Sequence, residues 1–423
     1  MRFTLDASTR KTRRAATAPL RSSLLVWLAM MLPACSAGTD DQQAMPSEGG
    51  DGSGGAATGG ILPGTGGSTA GSGGTASGGS ATGGSATGGS ATGGGSAAGG
   101  SSTGGVSTGG AEPGGAPTGG DNGGTPSPGV KFVGNITTGW NGALDTNGLT
   151  YSDYWDQVTP ENAGKWGSVQ GSPTSGFNWG TLDSIHDYTQ RAGIVFKQHT
   201  FIWGAQQPEP QSSITETHVK TWMQEFCKRY PDTAVIDVVN EPPPHTNPGY
   251  ANNIGGGTNG DWKWIANAFK WAREACPNAI LILNDYNDIE WTNDNQHMID
   301  IVKAIQAQDA PIDAIGCQAH DLDHSGVSSS NVKSMATKLH DQTGLPLYIT
   351  EMDISTTDDA AQLRMYQDYM PFFLETEWIH GITIWGWIFG STWSLAPDSG
   401  LVRNGSSRPA MTWLMEQLDR PSP

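Results

Sequence analysis

The stretch Val235-Ile236-Asp237-Val238-Val239-Asn240-Glu241 runs directly into Pro242-Pro243-Pro244. A short run rich in β-branched apolar residues reads as a strand buried on both faces. Three prolines forbid its continuation as strand or helix, so an amide and a carboxylate stand at its end. Leu347-Tyr348-Ile349-Thr350-Glu351-Met352-Asp353 ends in the same way. Two buried strands, far apart in the chain, each deliver a glutamate at the C-terminal end. In a parallel barrel that is where catalytic groups sit.

Outward from these two runs, strands alternate with helices. The strands read as Lys131–Asn135, Asp156–Thr159, Ile194–Thr200, Val235–Asn240, Ile280–Asn284, Ala314–Gln318, Leu347–Thr350 and Gly381–Trp385. Helices fall at Trp179–Ala192, Ser213–Tyr230, Asp261–Ala275, Asn293–Ala307, Asn331–Gln342 and Asp358–Glu375, with a last one from Pro409. Ile265, Ala268, Phe269 and Ala272 show the spacing of an amphipathic helix. Eight such units predict an α/β fold, a closed (β/α)8 TIM barrel. The rival, an open doubly wound sheet, wants a glycine-rich phosphate loop after the first strand, and none is there.

Composition bounds the rest. The chain has 423 residues, 60 of them glycine, and a formal charge of −18. That acidity argues against nucleic acid or an anionic membrane surface as partner, and leaves a neutral polymer open. Most glycines precede residue 130, so the folded domain is expected at 130–420. Residues 1–34 read as a signal peptide: a basic leader, then the short apolar run Leu24–Leu32, too short to span a bilayer. Leu32-Pro33-Ala34-Cys35 resembles a bacterial lipobox, with Cys35 as the acylated residue. An ordinary secretory signal is the alternative, and either predicts export. Residues 35–129 repeat Gly, Ser, Ala and Thr and cannot bury enough surface to offset ordering entropy, so a disordered linker is expected. About 90 residues of such coil reach roughly 50 Å.

The strand ends carry the chemistry. In order they present Thr159-Pro160-Glu161-Asn162 with Lys165-Trp166; His199-Thr200 with Trp203 and Gln206; Asn240-Glu241; Asn284-Asp285-Tyr286-Asn287; Gln318 with His320; Glu351 with Asp353; and Trp385, Trp387 and Trp393. Indole faces and bidentate hydrogen bonders suit a sugar, with its apolar ring faces and equatorial hydroxyls.

This ordered set resembles glycoside hydrolase family 10, the retaining endo-β-1,4-xylanases on an eight-fold barrel. The likeness covers residues 130 to 420. It implies Glu241 as acid/base and Glu351 as nucleophile, the two carboxyls of a retaining hydrolase standing about 5–5.5 Å apart. Ionised Glu351 is expected to help keep Glu241 protonated. The resemblance further implies that Asn240 bonds the sugar 2-hydroxyl, and that His320 bonds the nucleophile with Asp353 orienting its ring. Lys165, His199 and Gln318 would line the subsite of the cleaved sugar. Glu161, Asn162 and Gln206 would hold the next sugar outward. Trp385 and Trp393 would form wall and roof; Trp203 is either platform or packing. The substrate implied is xylan or xylo-oligosaccharides, acted on by a monomer, with membrane contact only through the lipid anchor. Retaining hydrolysis needs no metal or other cofactor.

Three positions depart from the family's pattern: Gly204 where a histidine is usual, Glu209-Pro210 where an aromatic is usual, and Ala163-Gly164 where bulkier residues are common. They touch the rim of the sugar-binding side, hence chain length and decoration of the substrate rather than the reaction. Cys227 and Cys276 lie at the ends of sequential helices on the bottom face, where an oxidising compartment allows a disulfide and two thiols are the alternative. Cys317 is expected as a buried thiol. Two further functions compete: a barrel acting on cellulose, mannan or mixed-linkage glucan, and a surface glycan-binding protein without turnover.

Overall fold

The computed structural model describes residues 131–138, 142–257 and 260–423; the leader, Cys35 and the Gly-rich stretch lie outside them. Eight strands run parallel in sequential order: β1 (Phe132–Ile136), β2 (Gln157–Thr159), β3 (Val195–Ile202), β4 (Val235–Asn240), β5 (Ile280–Asp285), β6 (Ala314–Cys317), β7 (Leu347–Met352) and β8 (Ile379–Ile384). They form a closed barrel, shut where β1 pairs with β8 through Phe132↔Gly381 to Asn135↔Ile384. Closure excludes the open doubly wound sheet. All residues of β3, β4 and β7 are buried, as strands are when helices cover the outside of a closed parallel barrel.

Inside, Phe132, Val195, Val235, Ile282, Ala314 and Tyr348 form an apolar cluster. Gly381 makes it possible: a Cβ there would lie 2.4 Å from the ring of Phe132. Further along the strands the interior turns polar, with Lys197, His199, Asp237, Asn284 and Thr350 buried. Register aligns these groups, pairing His199 with Asp237 and Asn240 with Asn284.

The outer layer is α2 (Gly180–Ala192), α3 (Glu216–Arg229), α4 (Lys263–Ala275), α5 (Thr292–Gln306), α6 (Ser329–Thr343), α7 (Asp359–Glu375) and α8 (Pro409–Gln417), after a single turn, α1 (Trp166–Val169). α4 buries Ile265, Ala268, Phe269 and Ala272, the face its periodicity predicts. Caps fix the ends: Asp358 accepts from the amides of Ala360 and Ala361, and Gly193 closes α2 at φ 68°. The helix expected from Ser213 starts at Glu216, because Gln211–Ser213 is a 3-10 turn and Thr215 forms a capping box with His218. The hairpin β9 (Val402–Arg403) and β10 (Ser406–Ser407) was not anticipated. Its Asn404-Gly405 turn has φ of 54° and 75°, the left-handed pair such hairpins demand.

Cys227 and Cys276 are joined in a disulfide with Cα atoms 5.4 Å apart, and Cys317 is a buried free thiol. Among the described residues no helix is long and apolar enough to cross a membrane.

Candidate active site

Glu241 stands where β4 gives way to the prolines, with φ at 48°. A side-chain-bearing residue in that left-handed region needs outside support. Its amide donates to Asn284 O at 2.8 Å, and the amide and hydroxyl of Thr246 donate to its carbonyl at 3.1 and 2.7 Å. The carboxyl is met from two sides. Oε2 accepts the indole N–H of Trp203 at 2.8 Å; Oε1 accepts amide N–H groups of Gln318 and Asn240, each at 3.3 Å. Burial pushes this carboxyl up, and the charge of Glu351 pushes it further.

Glu351, in β7, goes the other way. Burial alone would raise it, but His199, His320 and Lys197 overcome that and draw it down to about 2. Asn284 Nδ2 donates to its Oε1 at 2.7 Å. His199 Nδ1 lies 3.9 Å from Oε1 and His320 Nε2 3.4 Å from Oε2. His320 Nδ1 is 3.1 Å from Asp353. Burial opposes the imidazolium, yet Asp353 and Glu351 hold His320 well above the ordinary histidine range. Beneath, Asp237 Oδ2 takes both Lys197 Nζ and, at 2.9 Å, His199 Nδ1. Lys197, Asp237 and His199 thus form a linked layer beneath Glu351.

Amides join the two carboxyls. Asn284 Nδ2 donates to Asn240 Oδ1 as well as to Glu351, both at 2.7 Å, and Asn240 reaches Glu241. Thr350 Oγ1 donates to Asn284 Oδ1 at 2.6 Å, which fixes the amide's orientation. Gly316 leaves the room: a Cβ there would fall 2.3 Å from Asn284 Oδ1.

The loops after β2 and β3 build the neighbouring half. Asn162 Oδ1 accepts from Lys165 Nζ and Gln206 Nε2, each at 3.2 Å. Burial lowers Lys165 and raises Glu161, while each partly offsets the other. The Lys165 ammonium stands 4.8 Å over the ring of Trp203, so that indole serves as donor and as cation platform. Trp385 meets His199 edge to face at 5.4 Å. Trp393 donates to Asp353 at 2.6 Å, its ring 4.6 Å from His320.

The structure therefore brings Glu161, Asn162, Lys165, His199, Trp203, Gln206, Asn240, Glu241, Gln318, His320, Glu351, Asp353, Trp385 and Trp393 to the C-terminal end of the barrel. Two departures from the family's pattern have steric causes. A Cβ on Gly164 would lie 2.5 Å from His199 O, beside Gln198, whose amide donates to Gly164 O at 2.6 Å. A Cβ on Gly204 would lie 2.7 Å from Thr246. Sequence reasoning missed Lys197, Asp237 and Asn284 as site members. The first two were visible as charges within apolar strands, and Asn284 within Asn284-Asp285-Tyr286-Asn287. Among the described residues no group of three or more His, Cys, Asp or Glu is placed to hold a metal ion.

Two buried carboxyls of opposite proton affinity under indole walls, at the C-terminal end of a parallel barrel, define the two-carboxylate class of glycosidase site. Residues 129–417 match the model of glycosyl hydrolase family 10, and the chain belongs to that family. Endo-1,4-beta-xylanase B of Cellvibrio japonicus (strain Ueda107) is 44% identical over 291 residues, 67% of this chain and 45% of that protein. Endo-1,4-beta-xylanase A of Thermoanaerobacterium saccharolyticum is 28% identical over 291 residues, covering 61% and 24%. The chain thus spans less than half the length of these two relatives. Xylanase 10B from Thermotoga petrophila RKU-1, solved in complex with xylobiose, superposes with a TM-score of 0.59 at 21% identity, covering 68% of this chain and 94% of that one. That likeness speaks to the fold alone.

Proposed function

We propose that this chain is a retaining endo-β-1,4-xylanase. The observation that carries the reading is the opposed proton affinity of Glu241 and Glu351, joined through Asn240 and Asn284. Names of the relatives support xylan as the polymer.

In the first step an ionised Glu351 oxygen attacks the anomeric carbon. The bond to the leaving xylose oxygen breaks, and that oxygen takes the Glu241 proton. In the second step water gives a proton to Glu241 and its oxygen displaces Glu351, so the β-configuration is kept. Asn240 bonds the 2-hydroxyl as charge develops at the ring. His320 and His199 keep Glu351 ionised; Lys165, Asn162, Glu161 and Gln206 hold the sugars on the non-leaving side, between Trp203, Trp385 and Trp393.

We further infer a protein exported by residues 1–34, lipid-anchored at Cys35 and carrying its catalytic domain, residues 130–420, on a tether. The lipobox-like sequence supports this; metabolic labelling with palmitate, lost in C35S, tests it. Proton NMR of xylohexaose digestion tests the reaction. First-formed products with β-anomeric ends support it, α-anomeric ends contradict it, and release from cellulose but not xylan would reassign the substrate.

A further inference from the structure

The turn behind Glu241 holds a titratable group that the mechanism above does not use. His245 is anchored three times. Its Nδ1 lies 2.7 Å from Asp285 Oδ1, at the end of β5. Its Nε2 lies 3.5 Å from Asp294 Oδ1, in the first turn of α5. Its ring stacks on Tyr286 with centroids 3.8 Å apart and planes 14° from parallel. Burial works against a charged ring here, but the two carboxylates push His245 up to about 10. Both its ring nitrogens face carboxylates, so it has no N–H to offer a substrate.

Its place gives the clamp a task. Glu161, Asn162, Lys165, His199 and Gln206, which would hold the retained sugars, come from the ends of β2 and β3, on one side of β4. His245, Asp285, Tyr286 and Asp294 come from the β4 turn, β5 and α5, on the other side, toward which the leaving sugar must project. His245 N also donates to Pro242 O at 3.2 Å, and the next residue, Thr246, bonds the Glu241 carbonyl. One ring therefore ties the backbone of the proton donor to the wall of the leaving-group side.

We infer that His245 is a positioning residue: a carboxylate-clamped ring that sets the Glu241 turn and the plane of Tyr286 together, and so governs proton delivery to a sugar leaving group. The inference rests on the function proposed above. A misplacement of about 1 Å at a reacting group costs up to about a hundredfold.

The test compares H245F, which keeps a ring on Tyr286 but no bond to either carboxylate, and H245Q with the parent enzyme on two substrates. Xylotetraose needs Glu241 to protonate its leaving sugar. 2,4-Dinitrophenyl β-xylobioside has a leaving group that needs no proton and fills no sugar subsite. We expect kcat/KM on xylotetraose to fall about tenfold, within the span of acid/base contributions, and on the aryl glycoside about twofold. Equal losses on both, or none on either, would overturn the inference. Should both variants fail to fold, D294N decides: it keeps the bond to Asp285 and weakens only the outer clamp. The same unequal loss at smaller size supports the proposal, and an equal or absent loss overturns it. Parent enzyme inactive on both substrates would instead refute the proposed function.

Discussion

The indole N–H of Trp203 donates a 2.8 Å hydrogen bond to Oε2 of Glu241, the proposed proton donor. An N–H donor favours the ionised carboxylate and so opposes the upward push of burial and of Glu351. The same indole carries Lys165 over its face, tying Glu241 to the loop after β2.

W203F removes the donor and keeps most of the ring. Glu241 should then hold its proton to higher pH. Since in the proposed mechanism activity is lost as Glu241 deprotonates, the basic limb of kcat/KM should move up in pH. A basic limb that stays put or moves down would contradict the role of this bond.

E241Q removes the proton. On xylan the expected loss is about 10²–10⁴, the range for general acid/base catalysis. On 2,4-dinitrophenyl β-xylobioside kcat/KM should fall much less, because that leaving group departs unprotonated. Equal losses would remove Glu241 from the role.

N284D places a carboxylate where an amide now donates to Glu351 at 2.7 Å. Two such oxygens cannot both be ionised at that distance, so the proton affinity of Glu351 rises from its low value, with a shift of about one pH unit or more. In the proposed mechanism activity requires ionised Glu351 and grows as pH rises through its pKa, so the acidic limb should move up. An unmoved acidic limb would show that Asn284 does not act on Glu351.

The barrel was legible because its strands are apolar runs ended by prolines or polar clusters, and strands buried on both faces read that way. The two glutamates were legible for the same reason: each is the last polar residue that such a strand delivers. The layer below them was not. Lys197 and Asp237 look like breaks in apolar strands until register sets His199 opposite Asp237. Asn284 stands at a strand end like its neighbours, but only its pairing with Asn240 makes it the link between the carboxyls. The start of α3 slipped because a 3-10 turn precedes its cap, and propensity does not separate the two. Gly164 and Gly204 stood out as departures, yet their reasons are neighbours distant in sequence, His199 and Thr246.

Away from the site, the Cys227–Cys276 bridge spans a sequence separation of 49. Loop-closure entropy for that length is worth up to about 4 kcal/mol. The double variant C227S/C276S should melt well below the parent, with kcat on xylan unchanged. An unchanged melting temperature under oxidising conditions would mean that the bridge does not stabilise the fold.

In the proposed mechanism Glu351 forms a covalent bond to the sugar. Incubation with 2,4-dinitrophenyl 2-deoxy-2-fluoro-β-xylobioside, whose fluorine slows the second step, followed by mass spectrometry of a peptic digest, tests it directly. One fluoroxylobiosyl adduct is expected, on the peptide containing Glu351, with a burst of one dinitrophenolate per chain. An adduct on another residue, or full activity with no adduct at all, would contradict it.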